Sequence, residues 1–471
     1  MTKRLPIGAA PGPLEEYTAR FDDLFGARAQ REGFRRYLEG LLLPAERNKT
    51  LTALANAEPV VGAQHARAQS LQWFLSESGW DLDAVSARRL ELLRAEPGTA
   101  PDGNGVLIID EHGDRKDGKK TAHVGKQYLA NIGKVDNGVV SVSSLWADEE
   151  VYYPLEVEPY TPAHHFEKGK ADSAFRTKLK IAGQLVERSV QVGLPFRAVV
   201  ADSFYGEDEE FKMALDRLGA GYVLSLKKSH CWWHKEGEEI GALWEAAEAA
   251  GWKDAAEPGK WKEVARIFRD GHRERWWALE VQAGPYGPQR ARRAVVATTD
   301  PEKLPDLATW HLTTNLPAPS DRSERATESE LAAADLAEVV RLYGLRMWVE
   351  QSYKQVKHRL GFSQYQVRSD IAIRRHWQLV FCAFSFCWHG YGRSPTNEAE
   401  RQAGVDEYNQ PVASKAAGRG KNGPRTKSRA EDLVAGGIEG GEGVAGAMDD
   451  AAKILESVLG SASARRVRDA A

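Results

Sequence analysis

Cysteine is scarce in this chain: Cys231, Cys382 and Cys387 are the only three in 471 residues. That excludes a small disulfide-stapled scaffold and fits a reducing compartment. The opening stretch, MTKRLPIGAAPGP, has no apolar core, so no secretory leader is expected and the chain reads as cytoplasmic. Long apolar runs are missing too. The longest, 376–391 (HWQLVFCAFSFCWHGY), is too short and too polar at its ends to span a bilayer, and it reads as a buried helix. No G-x-x-x-x-G-K-[ST] phosphate loop is present, which argues against ATP-driven work in the same chain. Strong charge of one sign is absent as well, with a net charge of -3. A protein basic all over is thereby excluded, but local basic surfaces are not. With 42% hydrophobic and 28% charged residues, wholesale disorder is excluded, and the length suits two to four domains.

Texture changes along the chain mark the expected organisation. Residues 1–98 carry several amphipathic runs, such as LEEYTARFDDLFG and REGFRRYLEGLLL, and end at the Pro/Gly-rich AEPGTAPDGNG, so a helical domain is expected there. From 99 to 227 short apolar runs alternate with helical patterns, the mark of a mixed α/β domain with buried central strands. Seven of the fourteen Trp residues fall within 228–305 among short β-like runs, which predicts a β-rich insertion. The α/β texture resumes over 306–391, including a long helical stretch at about 328–360. The tail, 392–471, is rich in Gly and Ala, holds one aromatic residue (Tyr408), and has six basic residues and no acid between 415 and 429. It reads as largely unstructured, with a short helical pattern at 448–459.

Two apolar runs end in a carboxylate: VLIID at Asp110 and FRAVVAD at Asp202. Functional groups collect at the carboxyl ends of strands in α/β sheets, although strand-end aspartates are also common turn formers. Glu111 follows Asp110, and strand alternation sends it to the other face. A third element adds weight. On a continuous helix Tyr343, Arg346, Glu350 and Lys357 fall within an arc of about 60°, with Lys354 beside it. A solvated face with an i,i+4 pair of Arg346 and Glu350 is the plainer reading. The surroundings favour a site, because 341–376 holds eight Lys or Arg and two acids, a basic island in a near-neutral chain. Three carboxylates from separate elements can hold two Mg²⁺ or Mn²⁺ ions, activate a water or a 3′-hydroxyl, and stabilise the leaving oxygen in phosphodiester cleavage. Arg and Lys beside the glutamate would grip DNA phosphates.

The order Asp, Asp, Glu with a Tyr-x2-Arg-x3-Glu-x6-Lys helix resembles the DDE transposases of bacterial insertion sequences, in particular the family numbered 701 of the superfamily numbered 4. The resemblance covers about 15–390. The stretches IIDEHGDRKDGKKTAHVGKQYLANIGKVDNG, AGQLVERSVQVGLPFRAVVADSFYG and LGFSQYQVRS are similar to the segments around that family's first Asp, second Asp and following its Glu. What it implies is an RNase H-like catalytic domain interrupted by a β-rich insertion and preceded by a helical DNA-binding domain. It implies cut-and-paste movement of a DNA element by a homodimer on terminal inverted repeats, with no role for a membrane. Catalysis and metal binding would fall to Asp110, Asp202 and Glu350. Tyr343, Arg346 and Lys357 would contact DNA near the scissile phosphate, and Trp310 in TWHLTTN stands where related transposases stack a flipped base.

Lesser candidates have two readings each. Lys119, Lys120 and Lys126 suit DNA-backbone contact or a plain solvated strand edge. His230, Cys231 and His234 lack a second ligand pair at zinc-site spacing. Two rivals to an active transposase stay open: a domesticated transposase that binds DNA without cutting, and an RNase H-like nuclease acting on RNA–DNA hybrids.

Overall fold

The computed structural model describes residues 12–43, 48–57, 64–235, 239–267, 273–281, 292–321 and 329–391. The tail at 392–471, with its basic run and helical pattern, lies outside the described residues. The rest divides into two compact units.

The first unit is helical. It is built from α1 (Gly12–Ala19), α2 (Arg28–Leu42), α3 (Leu51–Leu54) and α4 (Ala66–Ser76) through Phe74, with Gly79–Asp81 and the residues from Cys382 on. Aromatic rings make its core. Tyr17, Phe21, Phe34 and Phe25 follow one another at centroid spacings of 5.3, 5.0 and 5.1 Å, and Phe74 stacks on Trp80 at 5.3 Å. Gly33 lets α2 meet that cluster, since a Cβ there would stand 2.7 Å from the Phe74 ring. Arg35 is buried and satisfied by Glu15 and Asp22, each at 2.6 Å.

The second unit takes Leu75–Ser78 and Leu82–Phe381. It is mixed α/β around a ten-stranded, mostly antiparallel sheet. It opens with α5 (Leu82–Ala95). The expected helical domain of 1–98 therefore reaches too far, and Arg89 supplies the reason. Its buried guanidinium donates to the Pro154 carbonyl at 2.8 Å and to the Leu155 carbonyl, which ties α5 to the sheet.

The strands β1 (Val106–Arg115), β2 (Gly125–Leu129), β3 (Lys134–Ala147) and β4 (Tyr152–Tyr160) pair antiparallel around β3. Next come α6 (Lys178–Gln191), β5 (Ala198–Ala201), the short α7 (Ser203–Gly206), α8 (Glu209–Arg217) and β6 (Tyr222–Ser225). Here β1, β5 and β6 lie parallel, as helical crossovers demand. Their residues Val106–Ile109 and Ala198–Ala201 are fully buried, which explains apolar runs without alternation. The α6 crossover starts at Thr177, whose hydroxyl caps Lys180 N, and buries Ile181, Ala182, Leu185 and Val186 in an i, i+4 stripe.

The stretch expected as a separate β-rich insertion, 228–305, is partly something else. A two-stranded ribbon, β7 (Cys231–Lys235) with β8 (Glu239–Ala242), and the short α9 (Leu243–Glu248) do stand apart from the sheet. But β9 (Lys262–Ile267), β10 (Arg273–Val281) and β11 (Arg293–Thr298) continue the central sheet through β12 (Thr309–Thr314), in the order β6-β12-β11-β10-β9. The tryptophans explain this. Trp261 and Trp277 share a buried cluster with Leu226, Leu243 and Val296, so α9 and the outer strands have one core.

Three helices finish the unit: α10 (Leu336–Gly344), α11 (Met347–His358) and α12 (Asp370–Tyr391), the last of which supplies residues to both units. The helix expected over about 328–360 is thus two helices, and the apolar run 376–391 is helical. No helix among the described residues is long and apolar enough to cross a membrane.

Candidate active site

Asp110 and Asp202 meet through strand register. Val106 pairs with Ala198, Leu107 with Val199 and Ile108 with Val200; two further steps bring Asp110 level with Asp202. Asp110 is not at the end of its strand, as the sequence suggests. Pairing with the long β3 carries β1 on to Arg115. On its other edge the parallel neighbour β5 stops at Ala201, so Asp110 still stands where that ladder ends. Asp202 caps α7, its carboxylate accepting from Phe204 N at 3.0 Å. Glu111 turns instead to α6, where Lys178 lies at 2.5 Å.

The two aspartates lie close enough to repel. Burial pushes the Asp110 carboxyl up to about 6; Arg346 opposes this and Asp202 adds to it. Burial works against the charge of Arg346 also, yet Asp110, Tyr343, Asp202 and Glu350 more than offset it and hold its pKa above the usual guanidinium range. Arg346 Nη2 is 3.5 Å from Asp110 and Nη1 is 3.8 Å from Glu350. Both separations are ion-pair contacts too long for good hydrogen bonds. Its buried Nε has no hydrogen-bond partner at all. A guanidinium held charged with its donors underused is suited to an oxyanion.

Glu350 is not gathered with the aspartates. Its side chain is 74% exposed and reaches them only by way of Arg346. Among the described residues no three His, Cys, Asp or Glu side chains converge as a metal site. Asp110 and Asp202, two hard-oxygen donors that repel each other, fit a divalent cation. Glu350 as placed does not complete the set.

The break between α10 and α11 explains where Glu350 lies. Tyr343 is on α10, whereas Arg346 is the N-cap of α11, so the four-residue arc does not belong to one helix. At the joint the backbone turns to tighter bonds, Arg346 N to Tyr343 O at 3.0 Å and Trp348 N to Leu345 O at 3.1 Å. The Gly344 carbonyl, which a continuous helix would give to Trp348 N, accepts instead from Arg266 Nη2 at 3.0 Å. Glycine leaves room for this contact, because a Cβ at 344 would lie 2.7 Å from Arg266 Nε and the guanidinium would have to shift. Arg266 also stands 5.3 Å from the Trp310 ring centroid. Sequence reasoning missed it; the signal available was a glycine inside a helical pattern.

The remaining candidates are placed as follows. Trp310 sits within the chain's own aromatic cluster, 4.1 Å from Trp276 and 5.0 Å from Tyr343. Burial raises the pKa of the Tyr343 hydroxyl, against the pull of Arg346. Lys357 lies 4.8 Å from the Tyr353 ring, and burial lowers its pKa to about 8 against the pull of Asp110 and Asp114. Tyr353, also missed from sequence, bonds Ser143 Oγ at 2.6 Å and fastens α11 to β3. Lys354 is exposed one turn beyond Glu350. Lys119, Lys120 and Lys126 are exposed on the β1–β2 loop and on β2, apart from the two aspartates.

A mixed sheet with paired carboxylates at a ladder end defines a nuclease-like site. Residues 20–285 match the family model of the DDE superfamily endonucleases, a match that takes in both aspartates. The chain belongs to that superfamily. It is also 32% identical, over 365 residues, to the probable transposase for insertion sequence element IS701 of Microchaete diplosiphon, an alignment covering 77% of this chain and 84% of the relative. It is therefore a DDE enzyme of the insertion-sequence transposase kind.

Proposed function

We propose that this chain cuts DNA at the terminal inverted repeats of its own mobile element and joins the freed 3′-hydroxyl to target DNA, in a cut-and-paste route run by a homodimer. Asp110, Asp202 and Glu350 are the catalytic carboxylates of this reading. The observation that carries it is the aspartate pair brought level by the β1–β5 register, with Arg346 between that pair and Glu350. The order β4-β3-β1-β5-β6, an antiparallel meander followed by two parallel strands, supports an RNase H-like catalytic domain. The helices of the first unit then serve as the end-binding domain, and within 228–305 the β7–β8 ribbon with α9 is the part inserted outside the sheet.

Asp110 and Asp202, with Glu350 once it joins them, would hold two Mg²⁺ or Mn²⁺ ions, whose chemistry there would be to polarise the phosphate and acidify the attacking hydroxyl. The protein's own part is positional. Arg346 offers its unpaired N–H groups to a non-bridging phosphate oxygen, which weakens its hold on Glu350 and frees that carboxylate to turn toward the aspartates. Tyr343 and Lys357 flank the same phosphate, and Lys354 takes the next one along. Trp310 stacks on an extruded base if the Trp276 ring gives way. Lys119, Lys120 and Lys126 hold the DNA backbone farther from the chemistry.

A nicking assay tests this reading. Purified protein is incubated with DNA from both flanks of its own gene and Mg²⁺ or Mn²⁺, beside Glu350→Gln. Metal-dependent cuts at two matching inverted sequences, lost in the variant, are expected. Binding without cleavage in either metal would turn the reading to a domesticated DNA-binding protein, which the outlying Glu350 favours. A hybrid cut faster than duplex ends would turn it to an RNA–DNA nuclease.

A further inference from the structure

The β2–β3 hairpin ends in an uncovered apolar face. Tyr128 and Val135 are directly paired across it, 53% and 64% exposed, and Ile132 in the turn is 38% exposed. Strand alternation puts Lys126 and Asn137 on the face that Tyr128 and Val135 share. The opposite face is firmly seated. Leu129 is fully buried where Gly113 and Gly138 leave room for it; a Cβ at either would stand 2.9 Å from its methyl groups. The turn closes through Gly133 at φ 64°. The apolar tip is therefore carried on a fixed ribbon.

Its surroundings are basic. Residues 115–138 hold six Lys or Arg against two Asp, in a chain whose net charge is -3. Asn137 donates to the carbonyls of Lys116 and Gly118, the latter at 3.1 Å, which fastens the loop bearing Lys119 and Lys120 to the same ribbon. Apolar wedges flanked by basic side chains enter the minor groove and unstack base steps. A second copy of the same basic face would be repelled, whereas a polyanion would not.

The amides of the two strands are already used. Gln127 donates to the Gly138 carbonyl at 2.7 Å, and Asn137 is bound to the loop. The paired face thus offers an apolar wedge and cations in place of side chains that read base edges. Such a face binds by wedge and backbone contacts, without base-specific ones. Terminal repeats must be read; insertion targets vary. Position agrees. Asp110 pairs with Ser143, eight residues along β3 from Val135, so the tip lies about 27 Å from the carboxylates at strand rise. That is about eight base pairs along a duplex.

We propose that the β2–β3 hairpin is a target-DNA docking element, with Tyr128 and Val135 wedged into the minor groove about eight base pairs from the point of joining. This rests on the transposase reading above. The test uses the full chain and Tyr128→Ser/Val135→Ser, a surface change that leaves Leu129 seated. End cleavage is assayed on transposon-end duplex, strand transfer with pre-cut ends into a plasmid, and affinity by anisotropy on a mixed-sequence duplex. Expected are end cleavage within twofold of wild type, strand transfer down at least tenfold, and mixed-duplex affinity down at least fivefold. Tyr128→Trp should retain all three. Transfer and affinity both within twofold of wild type overturn the proposal. A parallel fall in end cleavage and end binding moves the hairpin to the transposon end and overturns the target assignment. A change from dimer to monomer by light scattering makes the face an interface between copies, which also overturns it. Wild-type protein that neither cuts nor joins any end defeats the transposase reading; the anisotropy comparison then still decides whether the tip holds DNA.

Discussion

Arg346 stands between two states of the site. It neutralises a pair of repelling aspartates in the absence of substrate, and its unmatched Nε and long ion pairs leave donors for a phosphate. Arg346→Lys keeps the charge but loses the planar fork. Its cleavage rate is expected to fall 10²- to 10³-fold, about 3–4 kcal/mol of transition-state stabilisation. End binding by gel shift should stay within threefold; an equal loss of binding would make Arg346 an anchor only. Asp110 and Asp202 were legible in the sequence as apolar runs closed by a carboxylate, because burial on both faces forces such runs. The separation of Glu350 was not legible. It depends on where a long side chain turns when a charged neighbour competes for it.

At the scale of elements, the joint between α10 and α11 is set from outside. Arg266 lies 78 residues before the carbonyl it takes. Helical periodicity near Tyr343 therefore predicts one helix correctly in composition and wrongly in continuity. Gly344→Ala is expected to cost about 1–3 kcal/mol, as an overpacked methyl does, read as a lower urea midpoint. Cleavage should fall at least tenfold with end binding kept, since the start of the Glu350 helix is displaced. Arg266→Met should let Trp348 N regain a helical partner, and in that background Gly344→Ala should cost less than it does alone. Additive losses in a double-mutant cycle would show that the two residues act separately.

For the whole molecule, stability should depend on pH through buried neutral histidine. Burial lowers His376 to about 4, while its Nε2 bonds the Gly361 carbonyl at 3.1 Å. The unfolded chain titrates near 6.5, so it binds the proton first as pH falls. This contribution is whole above about 6.5 and is lost progressively toward pH 4, amounting to at most about 3 kcal/mol. Urea melts at pH 7.5 and pH 5 should show the loss, and His376→Gln should reduce it, the rest falling to His311 and His112, which burial lowers as well. If the variant keeps the full slope, other groups carry the acid sensitivity. Sequence texture gave the α/β character of the unit but not the extent of its sheet, because strand order is a long-range fact. The outer strands β9, β10 and β11 look like an insertion along the chain and are the continuation of one sheet in space. Removing 228–305 would strip β12 of a neighbour and bare a row of backbone groups to other chains. Recombination between related elements therefore cannot trade this segment as a cassette; the two halves of the sheet must be inherited together.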